Sequence, residues 1–76
     1  MARTFTFDDG QSWNIMLTGM TYERRDGISL GARFWSDAAP DQLVLGRLPV
    51  SGLALPDADL ADALRRALIT LWQRDE

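Results

Sequence analysis

The stretch MTYERRDGISLGARFW, from Met20 to Trp35, decides the fold because it places a turn between two strand-forming segments. Asp26 and Gly27 form a dipeptide that favours a two-residue hairpin turn. The flanking residues are rich in aromatic and β-branched types, which favour strands. We therefore predict a hairpin centred on Asp26-Gly27. A three-residue turn ending at Gly27 is the alternative, and it would send every side chain of one strand to the other face of the sheet.

Outward from this hairpin, alternating apolar and polar residues predict two further strands. The four predicted strands are residues 3–7, 12–22, 28–35 and 42–50. Residues 8–10 (DDG) and 36–41 (SDAAPD) have the composition of turns and loops. Gly19 is a candidate bulge within the second strand, and Pro49 predicts that the fourth strand lies at a sheet edge.

The C-terminal part of the chain predicts one amphipathic helix that begins at Asp57, which we assign as its N-cap. Asp62 and Arg66 have the spacing of a surface ion pair on a helix. One apolar stripe at helical spacing contains Leu60, Leu64, Ala67, Leu68 and Leu71. The order of elements predicts a single α+β domain over residues 1–76. In it, a four-stranded antiparallel meander is followed by one C-terminal helix packed on one face.

The second strand is apolar on both sides, although a sheet with one solvated face needs only one apolar side. Trp13, Ile15 and Leu17 lie on one side, and a two-residue turn adds the apolar residues Ile28, Leu30, Ala32 and Phe34 to it. The other side then carries Met16, Met20, Tyr22, Arg33 and Trp35. These five residues are the candidate binding surface, since Met, Tyr, Trp and Arg are enriched in interface cores.

Two structural questions stay open at this point. The loop of the first hairpin has either three residues, which places Phe5 and Phe7 in the core with Trp13, or two, which places them on the second face. That second face is either an interface or covered by the chain itself. Long loops or the N-terminal strand would then fold over it, or the arginine stems would shield the rings, with Arg33 stacked on Trp35 or Tyr22.

Composition excludes several classes of function. The 76 residues contain no cysteine, histidine or lysine, so disulfides, the usual zinc sites, cysteine and lysine nucleophiles and a histidine or lysine base to activate a serine are missing. We expect no catalytic residues, no metal site and no cofactor. Eight arginines against eleven acidic residues give a net charge of −3, which disfavours generic binding to a phosphate backbone.

Two further expectations concern the helix and the compartment. Arg65, Ile69 and Trp72 lie away from the leucine stripe and form a second candidate patch. No apolar run has the length of a membrane span, and the first residues lack the apolar stretch of a signal peptide. We therefore expect a cytoplasmic protein that does not contact membranes.

The pattern DGQSW…FWSD…LPDADLADALRRAL resembles that of short uncharacterised bacterial proteins from GC-rich genomes. In those proteins a DG turn and a tryptophan open a small sheet and a leucine-rich helix closes the chain. The order of four strands and a helix also resembles single-stranded nucleic-acid binders, namely the PUR repeat and the PC4-type coactivators. The second resemblance implies a sheet with basic and aromatic side chains, which Tyr22, Trp35, Arg33 and Arg24 would supply. The acidic net charge and the lack of lysine depart from it.

The sequence therefore predicts a non-catalytic interaction or regulatory module that binds a protein partner, or a second copy as a homodimer, through the face opposite the helix. The alternative is a single-stranded nucleic-acid-binding protein that uses the aromatic and arginine residues of the same face.

Overall fold

The computed structural model describes residues 2–74, and the side chains of residues 2–71. The strands are β1 (Ala2–Thr6), β2 (Ser12–Arg24), β3 (Gly27–Ser36) and β4 (Ala39–Pro49), followed by a short 3₁₀ helix (Gly52–Ala54) and the helix α1 (Asp57–Arg74). The strands form one antiparallel sheet in the order β1-β2-β3-β4, and α1 packs on one face of it. The predicted α+β meander with one C-terminal helix is confirmed.

The first hairpin has a three-residue loop, Asp8-Asp9-Gly10. The amide of Phe7 donates to the carbonyl of Gln11 at 3.0 Å, and the amide of Gly10 donates to the carbonyl of Phe7 at 2.9 Å. Gly10 has a φ of +77°, a backbone conformation that residues other than glycine rarely adopt. This loop places Phe5 in the core and Phe7 against Trp13, with ring centroids 5.7 Å apart.

The second hairpin has the predicted two-residue turn, but the turn consists of Arg25 and Asp26 rather than Asp26 and Gly27. Arg24 pairs directly with Gly27, which is the first residue of β3. Moving a two-residue turn by one position changes the pairing by two residues, and the side-chain alternation has a period of two. The predicted assignment of side chains to faces is therefore retained despite the wrong turn position.

A bulge interrupts the pairing of β2 with β3 between Leu17 and Thr21. Gly19 lies inside it with a φ of +88°, so the prediction of a bulge at this glycine is confirmed. The bulge adds two residues to β2, and the residues on either side of it keep their faces.

The prediction that residues 36–41 form a loop is wrong for its second half, because β4 begins at Ala39, which pairs with Ser36. The turn contains only Asp37 and Ala38. Pro40 lies where the register of β3 with β4 shifts, and an irregular position of this kind tolerates a residue without an amide hydrogen. β4 is an edge strand, as Pro49 predicted.

The core lies between the sheet and α1. Its largest fully buried side chains are Ile15, Phe34, Leu48, Leu60 and Leu64. The ring of Phe34 meets the ring of Phe5 edge-on with centroids 6.3 Å apart. Leu71 was predicted to join the apolar stripe, but its side chain is 42% exposed. The buried part of the stripe therefore ends at Ala67, with Leu68 half-buried.

The assignment of Asp57 as the N-cap is also wrong. The carbonyl of Pro56 accepts from the amides of Asp59 and Leu60, so Pro56 occupies the cap position and Asp57 the first helical position. The Asp57 carboxylate instead accepts from the guanidinium of Arg3 at 2.5 Å. Arg3 also donates to the carbonyls of Leu53 and Leu55. Arg3 thus ties β1 to the connection that leads into α1.

Candidate interaction surface

The five residues of the predicted binding surface lie together on the face of the sheet opposite α1. The pairing places Met16, Arg33 and Leu45 side by side across three strands, and Trp35 opposite Asn14. Met20 and Tyr22 lie next to Gly31 on the same face. We call this surface the uncovered face and define it by Met16, Met20, Tyr22, Arg33, Trp35, Leu43, Leu45 and Arg47.

The uncovered face is apolar and accessible. The side chains of Leu45, Met20 and Leu43 are 70%, 57% and 52% exposed, and those of Met16 and Trp35 are half-buried. The connection between β4 and α1 lies on the other side of the sheet, where Gly52 approaches Leu17 and α1 covers the core, and the exposed fractions of Met20 and Leu45 show that no described loop covers them. The alternative in which loops fold over this face is therefore wrong for the described residues.

Sequence reasoning missed the contribution of β4 to this face, namely Leu43, Leu45 and Arg47. The signal is present in QLVLGRLPV, where these residues alternate with the buried Val44 and Leu48. Alternation alone does not say which of two apolar sets is buried, because Leu occurs in both. The pairing with Arg33 and with Gly31 decides it for Leu45 and Arg47, whereas Leu43 lies where the register shifts and is placed by its alternation with the buried Val44.

One ring on the uncovered face is shielded by an arginine, although not by the predicted one. The guanidinium carbon of Arg47 lies 4.2 Å from the centroid of the Tyr22 ring. Gly31 pairs with Arg47 and leaves room for this contact, since a Cβ atom at Gly31 would lie 3.4 Å from the Tyr22 ring. Tyr22 therefore has one ring face occupied by Arg47, where Arg33 was expected to stack.

Arg33 has a different environment. Its side chain is half-buried between Met16 and Leu45, and its Nε is buried with no hydrogen-bond partner among the described residues. A buried donor that has lost water without gaining an acceptor raises the free energy of the folded state.

Six of the eight arginines of the chain fall into two groups. Arg3, Arg65 and Arg66 each form an ion pair with an aspartate. Arg24, Arg33 and Arg47 carry their side chains on the uncovered face, and none has a carboxylate within ion-pairing distance among residues 2–71. No acidic residue is register-paired on that face, and the carboxylate of Asp37 lies at its end, where it accepts from Nδ2 of Asn14 at 2.8 Å. The face is therefore locally basic on a chain of net charge −3.

A shallow groove of about 610 Å³ runs from the uncovered face around the edge at β4. Tyr22, Arg24, Leu45 and Arg47 line it on the sheet, and Arg66 lines it on α1. The groove thus combines apolar surface with guanidinium groups.

The second predicted patch, on α1, is only partly available. Ile69 is exposed, but the guanidinium of Arg65 already donates to both carboxylate oxygens of Asp8, at 2.9 and 3.1 Å, and to Asp62 at 3.1 Å. The side chain of Trp72 lies outside the described residues. The predicted pair Asp62–Arg66 is present at 2.9 Å.

The contact between Asp8 and Arg65 predicts a pH dependence. The hydrogen bond from Arg65 lowers the pKa of the Asp8 carboxyl below its usual value, and the positive charge acts in the same direction. Because this pKa is lower in the folded state than in the unfolded state, the contact stabilises the fold above the unfolded-state pKa. The stabilisation is lost as the pH falls through the folded-state value. We expect an NMR titration of Asp8 to give a midpoint that Arg65→Gln raises. An unchanged midpoint would contradict the contact.

The described part of the chain holds no group of three acidic side chains arranged to bind a metal ion. Within the same residues, no helix is both long and apolar enough to span a bilayer.

Comparisons of the chain with protein families, with curated proteins and with solved structures gave no match. Both resemblances stated above therefore remain predictions. The fold and the face define a small α+β protein of ββββα order with an accessible apolar and basic sheet surface.

Proposed function

We propose that this protein is a non-catalytic interaction module that binds another protein, or a second copy of itself, through the uncovered face. The proposal rests on one observation: Met20, Leu43 and Leu45 are more than half exposed beside Trp35 on a single sheet face. Contiguous exposed apolar surface on a small protein is typical of an interaction site. Tryptophan, methionine and arginine are the side chains enriched in such sites. Its proposed compartment is the cytoplasm.

A second candidate function is supported by a separate observation. Arg24, Arg33 and Arg47 lie without carboxylate partners on the same face as the aromatic rings of Tyr22 and Trp35. Single-stranded nucleic-acid binders combine a basic surface with rings on which bases stack. In this candidate the local charge outweighs the negative net charge at short range.

The experiment that tests the proposal is site-specific photo-crosslinking in the cells that naturally express the protein. A photoreactive phenylalanine derivative replaces Leu45 on the uncovered face or Ile69 on α1. We expect protein adducts from position 45 and few from position 69. Trp35→Glu should remove the adducts from position 45, because a carboxylate in the centre of an apolar contact costs binding free energy.

Ile69→Glu is the matched control, since it adds the same charge at an exposed position on the other side of the molecule. It should leave the adducts from position 45 unchanged. A cooperative thermal transition in Trp35→Glu shows that the fold is retained. Equal adducts from both positions, or adducts that survive Trp35→Glu, would contradict the proposal. Adducts with nucleic acid instead of protein would favour the second candidate.

A further inference from the structure

The guanidinium group of Arg33 has no carboxylate or other hydrogen-bond acceptor among the described residues. Met16 and Leu45 flank it, and its Nε is buried without an acceptor among the described residues. Other arginines of the same chain are satisfied: Arg3 and Arg65 donate to carboxylates and carbonyls. Of the guanidinium nitrogens of Arg33, Nε is the buried one without an acceptor, so a carboxylate supplied by a partner would meet the Nη groups directly and would accept from Nε after a shift of the Met16 or Leu45 side chain.

We infer that the partner of the uncovered face is a protein segment that places a carboxylate against Arg33 and apolar side chains around it. This inference rests on the proposed function and identifies the chemistry of its partner. Arg24 and Arg47 flank the groove at β4 and provide two further guanidinium groups for acidic residues of the same segment. Leu45 pairs with Arg33 and also lines the groove together with Arg24 and Arg47, so apolar and cationic side chains lie beside one another along this surface.

The charges of the face disfavour a second copy as the occupant. In a two-fold dimer each copy presents the same patch to the other. Such a contact would bring the guanidinium groups of Arg24, Arg33 and Arg47 from both copies together. The carboxylate of Asp37, at the end of the face, accepts from Asn14 at 2.8 Å and is outnumbered by these three guanidinium groups. Like charges juxtaposed across an interface oppose association, whereas an acidic partner meets the same groups favourably.

The apolar content of the face disfavours a nucleic acid. Leu43, Leu45 and Met20 are its most exposed apolar side chains, and they are aliphatic rather than aromatic. Base stacking requires a free ring face, and the Arg47 guanidinium already occupies one face of Tyr22. A protein segment with leucine-like side chains between acidic residues fits both features.

The test compares two synthetic peptides that differ only in charge: an amphipathic peptide of leucine and glutamate, and its counterpart with glutamine at every glutamate. Binding is followed by the indole N–H signal of Trp35 in NMR titrations of the full chain. We expect the glutamate peptide to bind at least about tenfold more tightly than the glutamine peptide. This factor corresponds to the lower end of the coupling free energies of close interfacial charge pairs.

Arg33→Met should reduce the difference between the two peptides several-fold, because it keeps an aliphatic stem and removes one of the three charges, while Arg24 and Arg47 remain. Since the variant also removes the orphaned donor, its thermal midpoint should equal or exceed that of the unmodified chain, whereas an arginine with a structural role would lower it. Arg25→Gln, at the tip of the exposed turn, is the matched charge control and should keep the preference.

Equal affinity for the two peptides, or no binding of the glutamate peptide, would overturn the inference. So would stronger binding of oligothymidylate than of the glutamate peptide, or a stable dimer in sedimentation at micromolar concentration. If these outcomes occur while Trp35→Glu still removes the crosslinks from position 45, the proposed function stands and only the partner chemistry fails. If the crosslinks are insensitive to Trp35→Glu, the proposed function itself fails.

Discussion

Phe34→Ala is expected to lower the free energy of unfolding by about 3–5 kcal/mol. The Phe34 side chain is fully buried at 0% exposure, and its ring meets that of Phe5. It lies on β3, between β2 and β4 and under α1, so no single neighbour can move to fill the cavity. Proteins are stable by about 5–15 kcal/mol, and small domains lie at the lower end of this range. A substantial fraction of the Phe34→Ala molecules should therefore be unfolded at room temperature. Urea titration followed by circular dichroism measures this.

Two control variants bracket this expectation. Phe34→Leu retains most of the apolar volume and should give a folded chain with a smaller loss of stability. Leu45→Ala removes an apolar side chain that is largely exposed, and it should change the free energy of unfolding by no more than about 0.5 kcal/mol. A loss below about 1 kcal/mol for Phe34→Ala would contradict the packing described for the core.

Gly46→Val is expected to destabilise the fold by about 1–3 kcal/mol or more, because it separates α1 from the sheet. A Cβ atom at Gly46 would lie 3.0 Å from the Cβ of Ala67 and 3.0 Å from Cε1 of Phe34. The two further methyl groups of valine require a larger displacement than the single methyl group of alanine. The Gly46→Ala variant should therefore be the milder of the two. Thermal unfolding monitored by circular dichroism distinguishes them.

A double variant tests the cause of this effect. Ala67→Gly removes the methyl group that a valine at position 46 would meet, at a cost of about 1 kcal/mol for glycine in a helix. If the contact with Ala67 causes the destabilisation, Gly46→Val combined with Ala67→Gly should be less destabilised than the sum of the two single variants. Strict additivity would mean that the helix and β4 do not meet at this position.

The local pattern was sufficient for most of the fold. Apolar alternation with a period of two predicted all four strands, and leucines at helical spacing predicted α1. The faces of β2 and β3 were predicted correctly although the turn was misplaced by one residue, because side-chain alternation survives any shift of two. Local signals failed at Asp57, where a distant arginine on β1 takes the carboxylate that a cap would use.

The sequence by itself determined that this protein has four antiparallel strands, one helix and a central strand with apolar residues on both sides, since these features follow from residue spacing along the chain. Tertiary structure alone decided that Leu43, Leu45 and Arg47 join Met16, Arg33 and Trp35 on one accessible face, and that Arg33 is left without an acceptor. The physical reason is that both properties depend on pairing between strands and on which side the helix packs. Neither is encoded within any one segment.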